Sequence, residues 1–273
     1  MRILVCGDVV GRSGRTVVSD NLGRLRDRLA LDFVVVNGEN AAGGFGITPK
    51  ICNQFFDAGA DAITTGNHVF DQREIIPHFD VEKRLLRPHN YPKTTPGTGV
   101  AVFPATRGRN ILIVHVMTRL FMDPLDDPFA CVTNALESYR LGGNVAAIIV
   151  DVHGEATSEK LAMGHFLDGR VSMVVGTHTH VPTADQQILP AGTAYQTDLG
   201  MCGDYDSVIG MKKTVAIERF VRKMPTARLE AADGEATLCA VFVETDDETG
   251  LARRVAPLRI GGRLSQALPE IDD

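Results

Sequence analysis

The chain opens on an apolar run, residues 2–7 (RILVCG), which stops at Gly7 and Asp8, and the same rhythm recurs along its length. Residues 13–30 carry Val17, Val18, Leu22, Leu25 and Leu29 at the spacing of a helix that buries one face. A second run, Phe33–Val36, ends in NGEN. A glycine-rich loop follows at 43–46, and Pro49 stands at the first turn of a helix expected to continue through Phe56. The next run, 61–64, ends in TGNH. Apolar runs without polar alternation, separated by amphipathic stretches, predict parallel strands buried on both faces.

The second half changes character. Val100–Phe103 and Ile111–Val116 read as a hairpin across TRGRN, and a helix is expected over 130–139. A long run, 145–152, ends in DVHGE. Thr157 or Ser158 is placed to cap the following helix, and the run 171–175 leads into GTHTH. Beyond Gly192 the runs are short and β-rich: 194–197, 238–244 and 252–260. No repeat of fixed period and no low-complexity linker interrupts the order. It predicts one domain over residues 1–273, an α/β architecture of two facing sheets with outer helices and a loosely held tail after about residue 264.

Composition narrows the class of function. No stretch approaches the roughly 18 apolar residues of a membrane span, and the N-terminal run turns polar too early for a secretion signal. Five scattered cysteines (Cys6, Cys52, Cys131, Cys202, Cys239) form no CxxC pair, which argues for reduced core thiols in a cytoplasmic protein. The net charge is −6 and no Lys/Arg block is present, so a long nucleic acid gripped by its phosphates is not the expected partner. A small anionic substrate held by metal leaves no such trace.

The candidate chemistry sits where the apolar runs end. Four of the eight histidines, His68, His153, His178 and His180, lie there, with Asp8, Glu39, Asn40 and Asn67 at similar junctions. In open α/β sheets such ends line the ligand crevice. A lone His or Asp at a strand end is usually a hydrogen-bonded turn residue, yet successive ends all presenting metal-type ligands are a poor coincidence. Carboxylate, imidazole and amide oxygen without thiolate suit manganese, iron or zinc. There is no HExxH and no helix-borne histidine pair at i, i+4, so the site is expected to be built from loops.

The order GDVVGR, NGEN, TGNHVFD, DVHGE, GTHTHV resembles the five blocks of the calcineurin-like metallophosphoesterase superfamily: GDxH, GDxxD, GNHE, a lone His, and GHxH. NGENAAGGFGIT, HGEATSEK, GTHTHVPTAD and TDLGMCGDYDSVIG are similar to its bacterial YmdB-like branch. The resemblance runs from residue 1 to about 220. It implies a four-layer αββα sandwich and phosphodiesterase activity, including activity on 2′,3′-cyclic nucleotides. Two positions depart from the pattern. Val10 stands where the first block carries a histidine, and Glu39 replaces the bridging aspartate. With Asn40 as the substitute donor, one ion is expected on Asp8, Glu39, Asn40 and His180. The other falls to Glu39, Asn67, His153 and His178, with Glu39 bridging.

The resemblance thus implies two divalent or mixed-valence ions, iron or manganese ahead of zinc. They activate a shared hydroxide, and His68 acts as the catalytic group facing the scissile phosphate. A phosphomonoesterase or nucleotidase on the same site, or a regulatory protein with weakened catalysis, are the alternatives; a homo-oligomer is compatible with either. Arg12 and Arg15 read as solvated helix-start residues or phosphate contacts, and Phe45 as a base-stacking ring or part of a plain turn. His115 and Asp151 read as residues that orient ligands. Residues 117–129 read as a lid, an oligomer contact or a long loop, and 203–210 offers no derivable role.

Overall fold

The computed structural model describes residues 1–270. In chain order its strands are β1 (Arg2–Val10), β2 (Phe33–Asn40), β3 (Ala62–Thr64), β4 (Val100–Pro104), β5 (Asn110–Met117) and β6 (Ala147–His153). They continue with β7 (Met173–Thr177), β8 (Gln187–Ile188), β9 (Ala194–Gln196), β10 (Met201–Asp204), β11 (Ala236–Thr245) and β12 (Ala252–Ile260). The helices are α1 (Gly11–Arg28), α2 (Pro49–Asp57), α3 (His78–Val81), α4 (Pro128–Leu136), α5 (Thr157–Leu167) and α6 (Lys213–Arg222). None is long and apolar enough to cross a membrane.

Two mixed six-stranded sheets result, ordered β12-β11-β10-β1-β2-β3 and β4-β5-β6-β7-β9-β8. β10 wedges between β1 and β11 at one end: Asp8 pairs with Met201, while lower down Arg2 to Cys6 pair directly with Glu244 to Ala240. The alternation of side chains along each strand explains why the runs are apolar throughout. Ile3, Val5, Phe33, Val35, Ile111, Ile113, Ala147 and Ile149 meet in a layer between the sheets. Leu4, Val34 and Val36 pack outward against α1 and α2, and Leu112, Val114, Ile148 and Val150 against α4 and α5. Helix, sheet, sheet, helix is the four-layer αββα order expected from the motifs.

Several boundaries move, each for a local reason. α1 begins at Gly11, whose φ of 62° lets the chain turn straight out of β1, and ends at Arg28 rather than 30. α4 spans 128–136 because Asp127 accepts the Phe129 and Ala130 N–H groups as its cap. α5 starts at Thr157, so neither Thr157 nor Ser158 caps it; Ala156 holds that position. Thr48 caps α2 ahead of Pro49 as the pattern anticipates. In the expected loose tail, Ala267 exchanges two backbone hydrogen bonds with Arg259 and Leu268 packs on the core, while 271–273 lie outside the described residues.

The expectation of a loop-built site is corrected. β1, β2 and β6 extend far enough to carry Asp8, Glu39, Asn40 and His153 themselves. Neighbouring residues on a strand normally face opposite ways, and here the pairing of β1 with β2 shifts register between Cys6 and Asp8 and again between Asp8 and Val10. Such bulges re-aim side chains. They allow the adjacent Glu39 and Asn40 both to serve one cleft.

Candidate metal centre

The inter-sheet layer is apolar at its base and polar at the carboxyl ends of the strands. Continuing the inward register past Val35 gives Asn37 and Glu39; past Ile149 it gives Asp151 and His153; past Met173 and Val175 it gives Thr177. Parallel strands bring these ends together, and the cluster forms there. Glu39 and His153 are fully buried, Asp8 lies beside them on β1, and Asn67 and His68 follow β3.

His153 is the hub. Its Nε2 lies 2.9 Å from Glu39 Oε2, 3.1 Å from Asn67 Oδ1 and 3.1 Å from His178 Nδ1. Its Nδ1 is 2.9 Å from Thr177 Oγ1, and that hydroxyl donates to Asp151 Oδ1 at 2.9 Å. An ionised carboxylate can only accept, so the Thr177 proton goes to Asp151 and the Thr177 oxygen accepts from His153 Nδ1–H. Neutral His153 therefore turns a lone pair toward the cluster. His178 is arranged alike: its Nε2 is 3.3 Å from Glu155 Oε2, which leaves Nδ1 as its acceptor side.

The second half of the cluster uses the same device. His180 Nδ1 donates to the Ile209 carbonyl at 2.8 Å, and its Nε2 lies 3.3 Å from Asn40 Oδ1. Asn40 Nδ2 donates to the Gly44 carbonyl at 3.1 Å, so the amide oxygen is the atom presented inward. Asp8 accepts the His178 backbone N–H through Oδ2 at 3.1 Å, while Oδ1 is buried without a partner. Gly66 closes the floor. A Cβ there would fall 2.3 Å from His153 Nε2 and 2.5 Å from Glu39 Oε1, so any side chain would fill the cluster.

Acceptor atoms converging at about 3 Å repel one another unless a cation or a proton lies among them. The charges respond accordingly. Burial pushes Asp8 up to about 6 even though His180 and His153 pull against it. Burial acts on Glu39 in the same direction, but the charge and hydrogen bond of His153 and the His68 N–H outweigh it and bring Glu39 to about 2. Burial disfavours charge on His153, but Glu39 and Asp8 overcome it and raise its proton affinity. Burial and His153 hold His178 down to about 3.

The cluster is thus built to hold positive charge. Glu39, His153 and His178 bring one ligand atom each within 4.8 Å of one another. Ligand atoms about 2.1 Å from an ion and at right angles stand about 3 Å apart, which is the spacing found around His153 Nε2. The oxygen and imidazole donors fit a divalent transition metal.

A cleft of about 270 Å³ opens above these groups, lined by Glu39, Asn40, Phe45, His68, His178 and His180 among others. His68 donates its backbone N–H to Glu39 Oε1 at 2.7 Å, and its Nδ1 is 2.8 Å from Asp71 Oδ2. The Phe45 ring stands edge-on to His68 at 5.2 Å. Arg15 hydrogen-bonds the Ala41 carbonyl, and Arg12 lines a separate groove near Asp233, so neither lines this cleft. Asp151 reaches His153 through Thr177, whereas His115 lies beneath with its Nε2 unpartnered. Residues 117–129 do not line the cleft, and Phe121 is exposed.

Sequence reading missed six contributors. Thr177 was legible as the residue of β7 in register with His153. Glu155 belongs to the DVHGE block. Tyr205 and Ile209 give the segment 203–210 its role: the Tyr205 hydroxyl donates to the His180 carbonyl, and Ile209 receives His180 Nδ1–H. Lys160 and Asp198 form a buried ion pair beneath the histidine loop, and no local pattern announces it.

The chain is similar to known proteins along most of its length. The YmdB-like protein family profile matches residues 4–258. The 2′,3′-cyclic-nucleotide 2′-phosphodiesterase of Bacillus subtilis (strain 168) is 44% identical over 260 residues, covering 95% of this chain and 97% of that protein. The crystal structure of a hypothetical protein from Thermus thermophilus superposes with a TM-score of 0.89 at 41% identity, covering 96% of this chain and 100% of the other. That of a novel phosphatase from Mycoplasma pneumoniae gives a TM-score of 0.89 at 33% identity, with coverage of 96% and 93%.

Proposed function

The chain belongs to the YmdB-like family of metallophosphoesterases, and on that premise we infer that it is a metal-dependent phosphoric diester hydrolase acting on 2′,3′-cyclic nucleotides. The observation that carries this reading is the convergence of Glu39, Asn67 and His178 acceptor atoms on His153 Nε2 at the floor of a cleft whose wall is His68. One ion is assigned to Asp8, Glu39, Asn40 and His180, the other to Glu39, Asn67, His153 and His178. Glu39 would be shared by the two sets; its Oε1 accepts the His68 N–H and its Oε2 lies 2.9 Å from His153 Nε2. When bound, such ions supply Lewis acidity at the phosphoryl oxygens and lower the pKa of a coordinated water.

The chain's own groups do the rest. Asp71 fixes the His68 ring through Nδ1 and leaves Nε2 as its free nitrogen on the cleft wall. As an imidazolium, His68 would stabilise charge on the phosphoryl group and deliver its proton to the departing ribose 2′ oxygen as a water oxygen bonds to phosphorus, its proton passing to solvent, and the P–O2′ bond breaks; the product keeps a 3′ phosphate. Such general-acid help contributes about 10²–10⁴-fold, and most where the leaving alkoxide is poor. Phe45, Ile209, Met211 and Leu229 supply apolar surface to the same cleft, which suits a nucleobase better than solvent.

The test is hydrolysis of 2′,3′-cyclic AMP by chelated protein and by protein reconstituted with Mn²⁺, Fe²⁺ or Zn²⁺, with the product resolved as 2′- or 3′-AMP and with 3′,5′-cyclic AMP and a phosphomonoester in parallel. Metal-dependent formation of 3′-AMP is expected. Protein that carries metal yet leaves the 2′,3′-cyclic ester intact while cleaving the monoester would overturn the diesterase reading.

A further inference from the structure

Beneath the histidine loop, Lys160 of α5 and Asp198 are both buried, at 1% and 0% exposure. Lys160 Nζ donates to Asp198 Oδ2 at 2.8 Å and to the Thr177 carbonyl at 2.7 Å. Asp198 Oδ2 also accepts the Thr179 N–H at 3.0 Å, and Oδ1 accepts the Gly200 N–H at 2.8 Å. Gly200 in turn accepts the Asp8 N–H through its carbonyl at 3.2 Å. The pair therefore holds backbone groups on both sides of His178 and reaches the strand that carries Asp8.

That backbone needs holding. His178 and His180 have φ of 104° and 66°, a region that side-chain-bearing residues rarely occupy. Conformations of this kind persist only where the surroundings over-determine them. A buried ion pair is seldom the most stable filler of a core, since apolar residues of similar volume are often as good or better. Its value here lies in where its hydrogen bonds go. All of the contacts named above land on residues 177–179, on Gly200 or within the pair.

We propose that Lys160 and Asp198 form a buried clamp that sets the backbone of residues 177–180 and so aims His178 and His180 at the metal cluster; both are positioning residues, and the inference rests on the metal-centre reading above. Neither side chain touches the cleft. Their removal changes the geometry of the histidines, not their chemistry.

The experiment compares the full-length wild type with Lys160→Met/Asp198→Leu, which exchanges the pair for apolar groups of similar size. Three quantities are read: the melting temperature of chelated protein, Mn²⁺ affinity by titration, and hydrogen exchange at the Thr179 and Gly200 amides. The clamp predicts an unchanged or higher melting temperature, Mn²⁺ affinity lower by about 10- to 100-fold, and faster exchange at those two amides with β6 and β7 unaffected. Wild-type affinity in a folded double variant overturns it. Should that variant not fold, Asp198→Asn carries the test, because it keeps the volume and loses one acceptor oxygen. It must weaken Mn²⁺ binding and expose the Thr179 amide, and wild-type values for both overturn the proposal. A wild type that binds no Mn²⁺ overturns the metal-centre reading itself, and the clamp's purpose with it.

Discussion

Thr177→Val tests the orientation of the hub histidine with the smallest change of shape. Valine keeps the β-branch that suits β7 and replaces the hydroxyl by a methyl group. Two hydrogen bonds of 2.9 Å disappear: the one received from His153 Nδ1 and the one donated to Asp151 Oδ1. Asp151 is fully buried and its Oδ2 already lacks a partner, so the carboxylate keeps only His115 Nδ1 at 3.5 Å. A hydrogen bond to a charged group is worth about 1.5–3 kcal/mol and a neutral one about 1 kcal/mol, so the metal-free fold should lose about 2.5–4 kcal/mol. His153 is then free to carry its proton on Nε2, facing the cluster, and metal affinity should fall about 10- to 100-fold. Urea denaturation of chelated protein reads the first effect, and Mn²⁺ titration reads the second. The stabilisation by saturating metal should shrink by about 1.4 kcal/mol for each tenfold loss of affinity. Thr177→Ser should restore both. Wild-type Mn²⁺ affinity in Thr177→Val would show that nothing passes through this hydroxyl to His153.

His68→Ala should lower turnover of 2′,3′-cyclic nucleotides by about 10²–10⁴-fold and leave aryl diesters far less affected; equal losses of kcat on both would remove the proton-donor role. Gly66→Ala places a Cβ 2.3 Å from His153 Nε2, so elemental analysis should find the folded variant depleted of metal, and full occupancy would contradict the geometry. Asp8→Asn should stabilise the chelated protein at pH 7 while weakening metal binding. Folded Asp8 holds its proton more tightly than the unfolded chain does, so its ionisation costs the fold stability as pH rises from 3.8 to about 6. A rise of about two pKa units corresponds to about 3 kcal/mol, regained by the neutral amide and absent below pH 3.8. Melts of both chelated proteins across that range check the sign, and a less stable Asn variant at pH 7 would reverse it.

The sheets were legible because burial on both faces leaves a mark that needs no partner to read: Phe33–Val36 and Ile111–Val114 are apolar whichever way they point. The clustering of Asp8, Glu39, Asn67 and His153 was legible for the related reason that parallel strands present their carboxyl ends together. The bulges of β1 against β2 were not, since register shifts depend on the neighbouring strand rather than on the residues that shift. They are what turn Glu39 and Asn40 into one cleft. Asp127 caps α4 ahead of the expected start at 130, a signal that the apolar period does not carry.

Chemical type and strand order belong to the chain's own pattern. They specify a four-layer α/β fold, a donor set without thiolate, and a row of ligands at strand ends. The position of His68, His153, His178 and His180 at the ends of apolar runs sets them apart from His78, His89, His115 and His165. What the pattern could not select is which nitrogen of each ring faces the cluster. The proton on His153 is placed by Thr177 and Asp151, that on His180 by Ile209, and the loop between them by Lys160 and Asp198. These are hydrogen bonds between residues well separated in sequence, and they exist only once the two sheets have packed.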